Sequence, residues 1–245
     1  MNPSIEITIP ILNEEATLAD QVNKTRDYIL NNLTDIGDIH IVLADNGSTD
    51  RTQEIARELQ NTLPGVRYLR LEERGVGRAL KASWTQSTAD IVGYMDLDLA
   101  TDLRHLRPAL EALKANSADI VTGSRLAKGA KVIGRKPLRN VTSFGFNYIV
   151  KLIFNTSFSD GMCGFKFLQR NILGPLMKTG AQSDGWFFAT ELLITGEHLK
   201  YRVLDLPVTW TDDPNSKVKV IKLIIEYLKA MFSLRQRLNN TKPGV

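Results

Sequence analysis

Five short segments typical of β-strands alternate with segments of helical periodicity in the first half of this chain, and this alternation restricts its possible folds most. The strand-like segments are residues 5–9, 39–43, 66–71, 91–99 and 120–124. Strands that alternate with helices form βαβ units, in which consecutive strands are parallel. The sequence therefore predicts an α/β fold, in which a mostly parallel central sheet is flanked by helices.

The residues that follow the first two strands predict where the first helices begin. Pro10 is expected to end the first strand, because proline cannot donate a hydrogen bond to a neighbouring strand. Asn13 is expected to cap the first helix, with Glu14 and Glu15 in its first turn. Asp50 is expected to cap the second helix, which extends to about residue 63.

The second half of the chain is less regular. Helices are predicted at residues 138–154, 186–199 and 218–238, and a strand is predicted at residues 201–208. Residues 160–170 are expected to form a loop and a short strand. The last helix carries many apolar and basic side chains but a single acidic one, Glu226. Such a helix can lie on an anionic membrane surface, pack on the domain or mediate dimerisation.

Composition and charge exclude several classes of protein. The chain is 43% hydrophobic and 24% charged, which is ordinary for a soluble globular protein. Its apolar runs are shorter than the roughly 18 residues that span a bilayer, and its N-terminus lacks a signal-peptide pattern. Cys163 is the single cysteine, which excludes a disulfide framework and a cysteine-based zinc site. We expect a cytoplasmic protein with no nucleic-acid partner, although the net charge of +4 permits other anionic partners.

Asp96 and Asp98 form the most informative pair of polar residues, because they follow the fourth strand. Ligands of an open parallel sheet bind beyond the carboxyl ends of its strands. In an extended segment, alternate side chains point to the same side, so both carboxylates would face one site. Two carboxylates this close repel each other, and Mg²⁺ or Mn²⁺ is a typical compensating ion. An isolated pair of this kind could also be a solvated strand end, but other polar segments lie at the same predicted edge.

The segment around Gly75 and Gly77 is the second such feature. Backbone N–H groups at a helix start and the neighbouring Arg74 and Arg78 favour a bound phosphate. The dinucleotide-binding fingerprint is incomplete, because Leu80 occupies the place of its third small residue. Carboxylates after the first two strands can accept hydrogen bonds from a nucleobase or a ribose.

The combined pattern resembles family 2 glycosyltransferases with the GT-A fold. The matching residues in the first half are Pro10-x-x-Asn13-Glu14, Asp45-Asn46-Gly47-Ser48-Thr49-Asp50, Gly75 with Gly77, and Asp96-x-Asp98. The second half is similar to dolichyl-phosphate glucosyltransferases and their mannose-transferring relatives. It matches them at Gly123-Ser124-Arg125, Arg139-Asn140, Asp160-x-x-Cys163-Gly164-Phe165-Lys166, Trp186 with Glu191, and Trp210 with Ser216-Lys217.

This resemblance implies transfer of a hexose from a nucleotide-diphosphate sugar to a polyprenyl phosphate, with inversion at the anomeric carbon. It implies an Mg²⁺ or Mn²⁺ ion on Asp96 and Asp98. The implied donor-binding residues are Pro10, Leu12, Asn13, Glu14, Asp45, Gly75, Gly77, Arg78, Asp96 and Leu97. The implied catalytic residues are Asp98, Asp160 and Arg125, and Arg125, Arg139 and Lys217 would bind the acceptor phosphate. Residues 1–216 would be the catalytic domain and residues 217–245 a basic C-terminal helix.

Two departures from the family pattern concern the metal ion and the donor. Ala100 occupies the place of a third metal ligand in many mannose-transferring relatives, and an arginine that some of them carry before Ser216 is missing. Ala100 implies a modest affinity for the ion, and the missing arginine favours a UDP-sugar over GDP-mannose. Two alternatives remain: a family 2 enzyme that acts on a soluble saccharide, and a nucleotide-sugar-binding module without turnover. The final helix predicts reversible, peripheral membrane association, and a homo-oligomer is also possible.

Overall fold

The computed structural model describes residues 2–135, 137–212 and 220–240, with side chains described outside residues 137–140 and 220–225. The strands are β1 (Ser4–Ile11), β2 (Asp38–Asp45), β3 (Val66–Arg70), β4 (Ile91–Met95), β5 (Ile120–Ser124), β6 (Lys131–Ile133), β7 (Phe165–Gln169), β8 (Val203–Pro207) and β9 (Thr209–Thr211). The helices are α1 (Leu18–Asn32), α2 (Thr52–Thr62), α3 (Val76–Gln86), α4 (Leu106–Lys114), α5 (Pro137–Phe154), α6 (Leu173–Thr179), α7 (Phe188–His198) and α8 (Val220–Asn240).

A seven-stranded central sheet has the strand order β3-β2-β1-β4-β7-β5-β8. The pairs among β1, β2, β3 and β4 are parallel, and helices flank the sheet, so the predicted α/β class is confirmed. β7 lies antiparallel between β4 and β5. The five strands predicted for the first half all lie in this sheet, but β7 separates the fourth from the fifth, so β5 pairs with β7 and β8 and not with β4. The inserted β7 brings residues 160–164 to the end of β4.

The side chains of the sheet alternate between two hydrophobic clusters. Ile91 and Met95 join one cluster, which contains α1, α2 and α4, whereas Val92 and Tyr94 join the other, which contains α3, α7 and α8. Because successive residues of a strand point to opposite faces, the two clusters cover the two faces of the sheet. Gly93 lies against β7, where a Cβ atom would come within 2.1 Å of the Phe167 ring.

α8 packs one apolar stripe on the rest of the molecule. Tyr227, Met231, Leu234 and Leu238 are buried at helical spacing in the same cluster as α3 and α7. Its other face is exposed, including Phe232, which is 68% exposed. No helix among the described residues is both long enough and apolar enough to cross a bilayer. The predicted domain boundary after residue 216 lies outside the described residues.

A smaller sheet lies beside the central one. β6 and β9 are parallel, with Val132 opposite Trp210. Trp210 also forms an isolated antiparallel bridge with Thr101, which follows β4. The small sheet therefore fixes Trp210 close to the segment that follows the Asp96–Asp98 pair.

Candidate functional site

A cleft of about 700 Å³ lies at the carboxyl ends of β1, β2 and β4. Its walls come from the loops after these strands, from the start of α3, from the segment before α7 and from α8. The lining residues are Pro10, Ile11, Leu12, Glu14, Asn46, Arg74, Gly75, Val76, Asp96, Leu97, Asp98, Gly185, Trp186 and Glu226. This is the edge at which open parallel sheets bind their ligands.

The loop after β1 is fastened to the loop after β2. β1 continues through Pro10, and α1 begins only at Leu18, so the predicted strand end and the predicted helix cap at Asn13 are wrong. Asn13 adopts a left-handed conformation with φ 56°. Its backbone N–H donates to Ser48 Oγ at 3.0 Å, and its Oδ1 atom accepts from the N–H of Thr49 at 2.8 Å. Asn13 therefore ties two loops together instead of capping a helix.

Glu14 projects from this loop into the cleft. Burial raises the pKa of Glu14, and the negative charges of Asp98 and Asp50 raise it further, against a hydrogen bond from Thr17. Glu14 is therefore close enough to Asp98, one of the two predicted metal ligands, for the charge of Asp98 to affect its pKa. Asp50 accepts from the N–H of Thr52, the first residue of α2, at 3.0 Å, but Arg51 occupies the cap position, so the predicted cap at Asp50 is one residue early.

Asp45 is fully buried and is not on the cleft wall. It accepts hydrogen bonds from the N–H of Ser48, from Tyr68 Oη and from Arg70 Nη1, at 2.7–2.8 Å. Burial would raise the pKa of Asp45, but these hydrogen bonds outweigh it and lower the pKa. The expected donor contact at Asp45 thus has no support from its position.

Asn46 occupies the cleft wall instead, and sequence reasoning missed it. Its side chain is 4% exposed, and Nδ2 donates to the carbonyl oxygen of Ile11 at 3.5 Å. Its Oδ1 atom is buried without a hydrogen-bond partner among the described residues. The sequence contained a signal for this position, because successive side chains at the end of a strand point in opposite directions, so Asp45 and Asn46 could not both face the same side.

The glycines before and within α3 serve close packing. The N–H of Gly77 donates to the carbonyl oxygen of Gly185 at 3.2 Å, and that of Arg78 donates to Asp184 at 3.0 Å. A Cβ atom on Gly77 would lie 2.3 Å from the carbonyl oxygen of Ser183. The expectation that these N–H groups bind a phosphate is therefore wrong, because the segment before α7 already occupies them.

Arg78 is ion-paired with Glu73 and Asp184, which further fixes this segment. Gly75, with φ 150°, would place a Cβ atom 2.4 Å from the carbonyl oxygen of Asp184. Gly75 and its neighbour Arg74 remain on the cleft wall.

Hydrogen bonds to Glu191 of α7 also hold the segment before this helix in place. Fully buried Glu191 accepts the N–H groups of Gln182 and Ser183 at 2.8 and 2.7 Å and a hydrogen bond from Arg237 of α8 at 2.5 Å. Trp186 projects from this segment with 52% of its surface exposed, whereas Phe187 and Phe188 are buried in the core. The structure thus divides the three aromatic residues between the cleft wall and the core.

Asp96 and Asp98 lie in a turn. β4 ends at Met95, and Leu99 has φ 53°, so the extended conformation expected for this segment is wrong. Both carboxylates nevertheless line the cleft. The N–H of Asp96 donates to the carbonyl oxygen of Gly164 at 3.1 Å, and a Cβ atom on Gly164 would clash with the Asp96 carboxylate. Asp98 Oδ1 accepts from the N–H of Ala100 at 3.0 Å.

The electrostatics of this pair fit a divalent cation. Burial raises the pKa of Asp96 to about 7, the charge of Asp98 contributes, and the charges of Lys166 and Arg125 oppose the shift. Within the described ranges, no cluster of three or more histidine, cysteine or acidic residues could hold a metal ion. Mg²⁺ often binds to only one or two carboxylates and completes its shell with water and substrate phosphate. Two carboxylates beside an open cleft match that ligand set.

Arg125 and Asp160, two predicted catalytic residues, form a buried ion pair. Arg125 Nε and Nη2 donate to the two carboxylate oxygens of Asp160 at 2.7 and 2.9 Å. Burial would raise the pKa of Asp160, but the charge and hydrogen bonds of Arg125 and the charge of Lys166 together outweigh it and lower the pKa. Neither residue lines the cleft, although Arg125 is close enough to Asp96 to affect its pKa.

Lys166 lies next to this pair and is fully buried. Its ammonium group donates to the carbonyl oxygen of Cys163 at 2.6 Å and lies 5.9 Å from the ring centroid of Tyr94. Sequence reasoning gave Lys166 no role. The side chain of Arg139 and all of Lys217, the two other predicted acceptor ligands, lie outside the described residues.

Comparison with known proteins identifies the family. Residues 6–176 match the family model "Glycosyl transferase family 2". The chain is 30% identical over 90% of its length to glycosyltransferase AglD of Haloferax volcanii, and it spans 35% of that longer protein. It is 26% identical over 96% of its length to dolichyl-phosphate beta-glucosyltransferases of Trichomonas vaginalis and Dictyostelium discoideum, and it covers 72% and 75% of them.

The fold has solved counterparts. Crystal structures of glucosyl-3-phosphoglycerate synthase from Mycobacterium tuberculosis, in complex with Mn²⁺ and UDP, superpose with TM-scores of 0.68 and 0.69 at 18% identity. The match covers 99% of this chain and 82% or 81% of those chains. The chain therefore belongs to glycosyl transferase family 2: it is a glycosyltransferase with the GT-A fold, similar in sequence to dolichyl-phosphate β-glucosyltransferases.

Proposed function

We propose that this protein transfers a hexose, with inversion, from a UDP-sugar to a polyprenyl phosphate. The observation that carries the proposal is the cleft in which Asp96 and Asp98 face Glu14 at the ends of the parallel strands. Relatives similar over almost the whole chain carry names that specify dolichyl phosphate and glucose. UDP is favoured over GDP because the arginine of some mannose-transferring relatives is absent before Ser216.

Different residues of the cleft bind different parts of the donor. Asn46 and Glu14 provide polar groups for the nucleoside, and Asp96 and Asp98 would hold the divalent cation. When bound, Mg²⁺ or Mn²⁺ neutralises the negative charge that develops on the departing nucleoside diphosphate. Trp186 contributes an apolar part of the cleft wall. The expected consequence is a donor fixed with its anomeric carbon towards the acceptor.

The acceptor needs no strong general base. A phosphate monoester has a second pKa of about 6 and is therefore already ionised near neutral pH. Its oxygen attacks the anomeric carbon from the side opposite the departing diphosphate, which inverts the configuration. Asp160 is held as a carboxylate by Arg125, so we assign it to positioning Arg125 rather than to proton transfer.

An exposed apolar surface on α5 and α8 supports the proposal that the protein acts at a membrane. α5 exposes Phe144, Tyr148 and Leu152, each by more than half, and α8 exposes Phe232. The two helices are neighbours, because the rings of Phe146 and Tyr227 lie 5.3 Å apart. We use the name α5–α8 face for these exposed apolar side chains of the two helices: Val141, Phe144, Tyr148, Leu152, Leu228 and Phe232. The same helices also expose the basic residues Lys151, Lys229 and Arg235. Apolar and basic side chains together favour an anionic lipid surface, where a polyprenyl phosphate resides.

The test is transfer of labelled sugar. The protein is incubated with polyprenyl phosphate, Mg²⁺ or Mn²⁺ and a panel of nucleotide sugars, and the label is extracted into organic solvent. UDP-glucose should be the best donor, and a chelator should abolish transfer. Asp98→Asn should lower kcat about a hundredfold or more, because the loss of this carboxylate weakens binding of the cation that would stabilise the departing nucleoside diphosphate.

Asp102→Asn is the matched control, because Asp102 lies in the same loop but pairs with Arg104 outside the cleft. Its rate should stay near the wild-type value. Full transfer in the presence of the chelator, tighter calorimetric binding of GDP than of UDP, or transfer to a soluble saccharide alone would contradict the proposal.

A further inference from the structure

Trp210 lies where three segments of the chain meet. It is the central residue of β9, it pairs with Val132 of β6, and it bridges to Thr101 after β4. Part of its ring packs against the hydrophobic cluster of α1, α2 and α4. The backbone therefore fixes the indole independently of any ligand.

Two arginine side chains lie against this one indole. The guanidinium carbon of Arg125 lies 5.3 Å from the centroid of the Trp210 ring, and the guanidinium carbon of Arg135 lies 5.4 Å from it. Two like charges near each other repel, whereas the negative face of an aromatic ring attracts guanidinium groups. The indole thus offsets part of the repulsion between the two arginines.

Each arginine also has a partner away from the ring. Arg125 is bound to Asp160, and Arg135 donates from Nη2 to Ser143 Oγ on α5 at 2.6 Å. The connected residues lead from α5, whose exposed face is apolar, to the neighbourhood of Asp96. A lipid phosphate that enters from α5 towards the anomeric carbon would pass along this path.

Resting on the proposed function, we infer that Trp210 is a positioning residue for the acceptor: its indole holds Arg125 and Arg135 side by side and thereby determines the affinity for a phosphate monoester. Planar guanidinium groups match the oxygens of a phosphate, and their spacing is useful only when it is fixed. Arg135 joins Arg125 on the acceptor side of the reaction, and Trp210 acts through both of them.

The test compares Trp210→Phe, which keeps an aromatic ring, with Trp210→Leu, which removes it. KM for a short-chain polyprenyl phosphate, KM for the nucleotide sugar and Tm are measured for each variant. Trp210→Leu should raise the acceptor KM about tenfold and leave the donor KM nearly unchanged, because only the guanidinium groups are released. Trp210→Phe should retain most of the wild-type affinity.

Arg135→Lys provides a second variant, which keeps the charge but loses the planar group. It should also raise the acceptor KM, whereas Arg202→Lys, at an ion pair with Asp119 at the far end of β8, should not. If Trp210 acts through Arg135, the effects of Trp210→Leu and Arg135→Lys should combine to less than their product.

The outcomes separate the inference from the proposed function. If the wild type transfers sugar to the lipid phosphate but Trp210→Leu changes neither KM, or changes both equally, the inference is overturned and the proposed function stands. Calorimetric titration with the short-chain polyprenyl phosphate repeats the comparison without turnover. If the wild type neither uses nor binds that lipid, both ideas fail. Arg135→Lys keeps the comparison decisive if Trp210→Leu does not fold.

Discussion

The buried Arg125–Asp160 pair gives the first prediction at the scale of single residues. Asp160 is fully buried and the Arg125 side chain is 8% exposed, so removal of one charge leaves the other without compensation. Asp160→Asn should lower the free energy of unfolding by about 3–5 kcal/mol at pH 7, measured by urea denaturation. Asp119→Asn, at a more exposed pair with Arg202, is the control and should cost much less.

The same pair predicts a pH dependence. The folded state lowers the pKa of Asp160 below its ordinary value, so its contribution is fully present above that ordinary value of 3.8. The contribution is lost as the pH falls through the lower, folded-state pKa. The stability difference between wild type and Asp160→Asn should therefore be constant near neutral pH and shrink below about pH 4. A difference that is already lost at pH 6 would contradict this assignment.

The local sequence predicted part of the candidate site. Residue type and position after a strand placed Asp96, Asp98 and Glu14 at the cleft, as the structure shows. The choice of Asp45 over Asn46 depended on which of two neighbouring side chains turns inward, and hydrogen bonds from the half-buried Tyr68 and Arg70 to Asp45 decide that. Strand alternation indicated that only one of the two side chains turns inward, but the partners that fix which one are not apparent from the local sequence.

At the scale of elements, the start of α3 depends on glycine for contact with the segment before α7. Gly77→Ala would place a methyl group 2.3 Å from Ser183 O and 2.6 Å from Phe188 Cβ, so the segment that carries Trp186 must move. We expect a lower Tm and a raised donor KM, measured by thermal denaturation and initial rates. In Gly174→Ala, on α6, the methyl group meets no atom within 4 Å, so neither value should worsen. Equal behaviour of the two variants would disprove this role.

Element types were predictable, but their pairing was not. Residues 120–124 and 165–169 are both recognisable as strands from their composition. The antiparallel insertion of β7 between β4 and β5 depends on contacts between residues far apart in the chain. Phe167 fills the space that Gly93 leaves open, and neither residue alone reveals the other. The turn at Asp96–Asp98 was missed for a similar reason, because the Gly164 carbonyl that holds it comes from a distant loop.

At the scale of the whole molecule, the α5–α8 face predicts reversible binding to lipid vesicles. Leu152→Ser combined with Phe232→Ser should weaken co-sedimentation with anionic vesicles about tenfold or more, since each exposed apolar side chain contributes on the order of 1 kcal/mol when buried. Leu30→Ser, at a residue of α1 with 50% exposure, is the control and should change nothing. Lys229→Glu should weaken binding to anionic vesicles more than to neutral ones. Vesicle binding unaffected by all of these changes would assign the face to another partner.

α8 touches the reaction cleft, the core and the exposed face within a few residues. Glu226 lines the cleft, Tyr227 is buried and Leu228 is half exposed, while Arg237 anchors the far end to Glu191. A helix rises 1.5 Å per residue and resists compression. We therefore expect a membrane that binds the α5–α8 face to lie at one fixed distance from the cleft. This fixed distance should select acceptors by the depth of their phosphate in the membrane, independently of the chemistry of the rest of the molecule.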